Sequence, residues 1–589
     1  MLLITERKKV LPGTKLKISR RQWRTMCRVV LLALVIYRLW VVRYVVDADG
    51  IAYLDVARAW LRGDWIHALN PYWSPLYIWL LAVAFGLFDP SVHWQIPLMH
   101  AVALLGFMVS WAAWEWLSAE WEHWQGPPVH PLLIDTIGYC VLVWAGIHLT
   151  GLGRFNNADV FVMGLLLAAG ALLVRVRRGA AAARDFVLLG FVLGTGFLAK
   201  TAVIIAIPMF LAALALLLHS WRDWRLSFAA LATLAVMVPF VLAISLAQGR
   251  FTFGDSGRLN YSWHVTGMSV EGYKENAYWP GFAATHPIRV LMQHPRVLSY
   301  EQHLVGTLPI HTEPSWWCAG YPVRFDKARQ LMILWSDIKF SILAFRCPAL
   351  FLILFGLFAG ALVVMAKQFA QVWFLWGPAL LFALSYCPVY SDYRYLAASY
   401  ALIGFALIAA AWQVKLPRSI ALVSIIAVPV LTALFMMGSE FRHMPRQFVG
   451  DVLGRREPWD SFNIKVAENM QKQGLRPGDL VAYIGFSLGS AHVGLEQAHI
   501  VATVPERTSH DDTLPGRPYM FTFQKPDEFW RSSPAVQQQV LDAFRSVGAK
   551  WVFADCVPNW ADTTGWQVAG ESRVFRGGDR PYTYFRKLE

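Results

Sequence analysis

Metal-ligand spacings of cysteine and histidine are missing from this chain, and so are internal repeats and low-complexity tracts. Six scattered cysteines among 589 residues exclude a zinc module and a disulfide-dense scaffold. Whether Cys318 and Cys387 pair stays open. Charge is scarce too, at 16% of residues against 56% hydrophobic, a balance that no soluble protein of this length needs. A cleavable signal peptide is also lacking. The start is basic and polar (Arg7, Lys8, Lys9, Lys15, Lys17, Arg20, Arg21, Arg24), and the first apolar run is long enough to remain as a span. Acids are outnumbered by Lys and Arg, 39 to 53, for a net charge of +14. These cations sit beside apolar runs, where the positive-inside rule accounts for them, so no nucleic-acid partner is expected.

What is present is a series of apolar windows near 26–46, 94–118, 132–150, 158–175, 186–199, 201–219, 226–247, 343–366, 371–388, 395–413 and 418–437. A further run, "LYIWLLAVAFGLF" at 76–88, has 13 residues and is too short to cross comfortably. The basic loops 175–184, 219–225, Lys367 and 415–418 fall on the side of the N-terminus only if 76–88 does not cross. The expected fold is therefore a polytopic α-helical membrane protein with about 11 transmembrane helices. Residues 1–25 form its basic cytoplasmic N-terminus, 26–437 a transmembrane module with outer loops 47–93 and 248–340, and 438–589 a soluble extracytoplasmic domain. In that last stretch "GDLVAYIGF" and "AKWVFADCV" have strand patterns. "SPAVQQQVLDAFRSVG" has that of an amphipathic helix stopped by Gly548, which together predict an α/β domain.

Four polar clusters fall on the outer side. "VVDADGIAYLDVARAWLRGDW", 45–65, places Asp47, Asp49 and Asp55 just after the first span. Asp47 or Asp49 caps a helix in one reading, with Asp55 and Arg58 an ordinary i,i+3 pair, and a capping aspartate can also face a cleft. "GRFNNAD", 153–159, puts Arg154 and Asp159 at a return between spans, as a hydrophilic turn with Asp159 capping or as groups facing protein or water. Lys200 stands between two apolar stretches, either snorkelling to the interface or serving a partner. "CPVYSDYRYLAASY", 387–400, adds Asp392, Arg394 and Tyr395. Four weak signals on one face make a better one.

These residues resemble the GT-C glycosyltransferases, above all the protein-mannosyltransferase and aminoarabinose-transferase branch (glycosyltransferase family 39-like). The resemblance rests on Asp49, Tyr53, Gly63 and Pro75-Leu76-Tyr77 in the first outer loop, Arg154 and Asp159 in the second, and "GFVLGTGFLAK" ending in Lys200. Arg394-Tyr395 before a late span and "GTLPIHTEPSWWCAGYPVRF", 306–325, extend it over roughly 26–440. One departure is Gly50, where many relatives carry Glu after the Asp. The resemblance implies sugar transfer from a polyprenyl-phosphate donor to a glycan, lipid or protein acceptor at the outer face of a bacterial inner membrane.

It implies Asp49 and Asp159 as catalytic carboxylates, and Tyr53, Arg58, Arg154, Lys200, Asp392, Arg394 and Tyr395 as substrate-binding residues, with a divalent metal (Mg or Mn) left open. An attacking hydroxyl must lose a proton, which calls for one carboxylate, here Asp49. Inverting glycosidases need a second carboxyl as acid, but a phosphate leaves as a stable anion and calls for cations instead, which suits Lys200, Arg154 and Arg394. A transporter or lipid-carrier flippase is the alternative, yet it would place its charges near the midplane in repeated halves. "GFSLG", 485–489, matches a hydrolase elbow, but no Asp lies between Ser487 and His510, no His follows Asp511, and Glu496 is too near His499 to serve, so a glycine-rich turn is expected.

Overall fold

The structure is a computed structural model that describes residues 18–265, 289–300, 306–312, 325–437, 442–505, 507–510, 521–524, 527–571 and 580–588. The basic stretch before residue 18, Cys318 and the rest of 313–324 lie outside the described residues. Among the described residues the chain from Arg20 to Met437 is mostly helix, and strands occur at 289–299 and from Leu480 onward.

Among the described residues six helices are long and apolar enough to cross a membrane: Val92–Gln125, Pro131–Leu149, Asp159–Arg177, Trp224–Ala247, Tyr393–Ala411 and Arg418–Met436. A seventh results if Leu362–Gln371 and Trp373–Tyr386, bent by 81°, form one broken span. The expected number of about 11 is thus not matched by length and hydropathy, for local reasons. Arg20–Val41 carries Arg24, Arg28 and Arg38. Ala183–Ala199 and Val203–Leu217 have only 17 and 15 residues. The expected span 343–366 falls across the break between the helices Lys327–Phe358 and Leu362–Gln371.

Polar contacts sort the returns of the chain into two ends. At one end Arg20 binds Glu122 and Asp135, Arg178 binds Glu120, Arg175 lies 3.4 Å from Asp185, and the Trp412 indole donates to the Gly126 carbonyl. At the other, Asp47 meets Asn156, Ser74 meets Thr201, and His93 meets Tyr44 and Glu468. The short helix Pro75–Phe88 begins beside Ser74 and is followed by His93, so it leaves and rejoins the same end. The 34-residue helix Val92–Gln125, about 51 Å long at 1.5 Å per residue, then joins the two ends. Small residues let the helices close up. A Cβ on Gly190 would meet the Ala229 carbonyl oxygen at 2.1 Å, so the Ala183–Ala199 helix lies against Trp224–Ala247 at backbone distance.

The C-terminal part carries the expected α/β pattern. Its strands are β1 (Arg289–Gln293), β2 (Arg296–Ser299), β3 (Leu480–Gly485), β4 (His499–Pro505), β5 (Arg507–His510), β6 (Phe521–Gln524), β7 (Trp551–Ala554), β8 (Gln567–Glu571) and β9 (Tyr582–Lys587). Seven of them form a sheet of order β1-β2-β4-β3-β7-β9-β8, parallel at its centre (β4-β3-β7) and antiparallel at both flanks. The helix Pro534–Ser546 is capped by Ser533 and followed by Gly548 at φ +85°. Strands β1 and β2 come from the segment 248–340 and not from the C-terminal stretch, which ties that segment into the sheet. "GFSLG" ends β3 in a tight turn: Asp555 accepts from the Phe486 amide and the Tyr483 hydroxyl, and Ser487 is buried. It is the glycine-rich turn.

Candidate active site

The helix Ala48–Leu61 positions the first carboxylate. Asp47 is its cap, with Oδ1 accepting from the Gly50 amide at 3.1 Å and from the Asn156 amide at 3.2 Å. Asp49 is therefore free of the capping duty and sits in the first turn. Its Oδ2 accepts from Arg394 Nη2 at 2.9 Å, Oδ1 has no hydrogen-bond partner among the described residues, and the side chain keeps 32% of its accessible surface. Burial, with the neighbouring Asp49 charge adding to it, pushes the Asp47 carboxyl up to about 7. Gly50 backs onto Asn156. A Cβ there would lie 2.9 Å from the Asn156 Cβ and 3.0 Å from Asp47 Oδ1, so the Glu of the resembled family has no room at this position.

The cations arrive from elsewhere in the chain. Asp392 caps the helix Tyr393–Ala411 by accepting from the Arg394 amide at 3.1 Å. Arg394 bonds Asp49, lies 3.4 Å from the Tyr395 hydroxyl, and has its guanidinium 5.0 Å from the centre of the Phe155 ring. Arg154 is exposed at the same distance from that ring. Lys200 ends the helix Ala183–Ala199 in extended backbone, and its Nζ lies 2.5 Å from Asp159 Oδ1 and 3.6 Å from the centre of the Tyr395 ring. It points into the protein; the snorkelling alternative fails. Asp159, buried, is the first helical residue after Ala158 and does not cap.

One unbroken run of contacts thus links Asp49, Arg394, Tyr395, Lys200 and Asp159, residues drawn from four returns of the chain. Tyr53 is buried one turn beyond Asp49, its ring 4.9 Å from Trp73 and 5.1 Å from Tyr77. Arg58 does not join this cluster. It lies on the other side of the helix, donating to the Gly494 carbonyl at 2.6 Å and to Gln95 at 2.8 Å, with Asp55 3.7 Å away. One part escaped the sequence, the Phe155 ring shared by two guanidiniums, and two were legible only as candidates: Asp47 as one of two possible caps, and Asn156, whose buried amide atoms have no partner among the described residues. The Asn156-Asn157 pair at a return was the available signal.

No group of three His, Cys, Asp or Glu side chains that could hold a metal converges among the described residues. Asp49 Oδ2 faces Arg394 and Asp159 Oδ1 faces Lys200.

Among solved structures, the chain is similar to ArnT from Cupriavidus metallidurans bound to undecaprenyl phosphate. That likeness covers 97% of this chain and 99% of the other, at 15% identity and a TM-score of 0.41. It is also similar to the Archaeoglobus fulgidus oligosaccharyltransferase in complex with Zn and sulfate, over 90% of this chain and 68% of the other, at 12% identity and a TM-score of 0.44. No family model and no curated protein matches the chain.

Proposed function

We propose that the chain is an integral membrane glycosyltransferase that moves a sugar from a polyprenyl-phosphate donor to a hydroxyl acceptor at the outer face of a bacterial inner membrane. The observation that carries this is the meeting, across 345 residues of sequence, of a carboxylate with an open oxygen and a cluster of cations. Asp49 Oδ1 takes the proton of the acceptor hydroxyl as its oxygen bonds to the anomeric carbon. The bond from that carbon to the phosphate oxygen breaks, and its electron pair leaves with the phosphate. Attack opposite the leaving group inverts the anomeric centre.

Lys200 and Arg394 meet the growing phosphate charge, exchanging their carboxylate partners for phosphate oxygens, and the exposed Arg154 adds a third cation beside Phe155. Asp159 aims Lys200 and is a positioning residue. The orientation follows from charge: the arginine-rich returns gather at the end opposite Asp49, as the positive-inside rule asks of a cytoplasmic end. The C-terminal sheet shares the end of Asp49, which supports an extracytoplasmic position for it as well.

Two measurements test the proposal. Mass spectrometry of the lipid that copurifies with the protein is expected to find a polyprenyl phosphate. Asp49→Asn is expected to lower sugar transfer by about 10²–10⁴-fold, the usual worth of a general base, with unchanged donor binding and thermal midpoint. An Asp49→Asn protein of normal activity overturns the mechanism.

A further inference from the structure

A second polar cavity, of about 270 Å³, lies across the helix Ala48–Leu61 from Asp49. Asp55, Arg58 and Arg62 of that helix form one wall, and Gly306, Gln497 and His499 belong to the opposite one. At about 100° per residue these three helical positions lie roughly 120–180° around the axis from Asp49, so the cavity is separate from the transfer cluster. Its walls come from the membrane module on one side and from the sheet domain on the other.

The groups in it are of mixed hydrogen-bonding character. Arg62 is exposed and has no hydrogen bond or ion pair from its guanidinium among the described residues. Arg58 is buried and occupied by Gly494 and Gln95, and Asp55 gives Oδ2 to the Thr307 amide at 2.7 Å. His499 Nδ1 lies 2.6 Å from the Gly306 carbonyl, which can only accept, so Nδ1 donates there and Nε2 is the ring nitrogen left for a ligand. The Gln497 amide offers both donors and an acceptor. Two arginines and one aspartate leave a formal charge of 2 − 1 = +1 on the lining, with the cation of Arg62 unneutralised.

We infer that this cavity binds an anionic saccharide, a sugar phosphate or a uronate, with its anionic group on Arg62 and its hydroxyls on His499 and Gln497. A bare inorganic anion would leave the acceptors of the cavity unmatched, and a neutral sugar would leave Arg62 unmatched. The volume, just below the roughly 300–1,000 Å³ of drug-sized ligand sites, suits one sugar ring. Because the ligand touches both walls, it fastens the sheet domain to the helix that carries Asp49. This inference does not depend on the transfer reaction.

The test uses the full-length protein in detergent at fixed ionic strength, with glucose 6-phosphate, glucuronate, glucose and inorganic phosphate as probes for titration calorimetry and thermal shift. Glucose 6-phosphate or glucuronate is expected to bind saturably and raise the melting midpoint, at least tenfold more tightly than glucose or phosphate. Arg62→Gln is expected to weaken that binding at least tenfold with an unchanged midpoint in the absence of ligand, whereas Asp49→Asn leaves it as it is. Equal affinity for inorganic phosphate reduces the cavity to an anion site and overturns the saccharide assignment. Absence of saturable binding by both anionic sugars, or binding that survives Arg62→Gln, overturns the site.

Discussion

Lys200 shows how one side chain serves both stability and chemistry. Its ammonium faces the buried Asp159 carboxylate and the Tyr395 ring, a cation–π contact worth about 0.5–2 kcal/mol. Removing one partner of a fully buried pair costs roughly 3–5 kcal/mol, but the Lys200 side chain keeps 23% of its surface, so about 2 kcal/mol is the better expectation for Lys200→Met. Adding Asp159→Asn removes the stranded charge. The double variant is expected to regain most of the lost thermal stability while its affinity for the donor stays low. Recovery of donor binding together with stability would show that Lys200 serves the fold alone. The sequence singled out Lys200 by its cost among apolar neighbours, but its partner, 41 residues away, is visible only in three dimensions.

At the scale of elements, the turn before the helix Ala48–Leu61 is where two loops at one end of the bundle lock together. Asp47 caps the helix and also accepts from Asn156, so one carboxylate fixes the helix start and the return 153–159. Capping statistics rate aspartate alike at either position, and the sequence left Asp47 and Asp49 as equal candidates. Backbone geometry decided between them. Gly50 permits the approach, and Gly50→Ala forces a Cβ to within 2.9 Å of both Asn156 and Val46. Overpacking of this kind costs about 1–3 kcal/mol, and the shift it demands displaces Asp49 in the same turn. A lower melting midpoint together with reduced sugar transfer is expected for Gly50→Ala. Asp47→Asn, which keeps a capping oxygen, is expected to leave the helix start intact. A Gly50→Ala protein with both properties unchanged would show that the two loops have slack here.

At the scale of the whole molecule, the sheet domain docks on the helix Ala48–Leu61 through buried polar groups. Arg58 reaches the Gly494 carbonyl, and Glu496 is buried two residues further on with neither oxygen bonded among the described residues. Burial pushes the Glu496 carboxyl up to about 8, with the nearby Gln471 amide and Arg58 opposing the shift and Glu468 adding to it. The unfolded value is about 4.3, so between about 4.3 and 8 the folded protein holds a proton that the unfolded chain has released. The stabilisation from this group is complete below about 4.3 and is lost as the pH rises through about 8. The wild-type melting midpoint is therefore expected to fall from pH 5 to pH 8, and Glu496→Gln to flatten that fall and to be the more stable protein at pH 8. Parallel profiles for the two proteins would exclude Glu496 as the titrating group.

Hydrophobic runs, basic returns and the strand and helix patterns after residue 438 follow from local composition, and those parts of the architecture were legible in the chain itself. So were the polar clusters beside those runs, because a charge beside an apolar run is costly wherever it ends up. Tertiary structure alone decided which charges meet: Asp49 with Arg394 across 345 residues, Lys200 with Asp159, and Arg58 turned away to Gly494. It alone decided that β1 and β2, far upstream in the chain, complete the sheet beside β4. Propensity and periodicity describe a residue by its near neighbours, whereas ion pairs and strand pairing depend on which distant segments packing brings together.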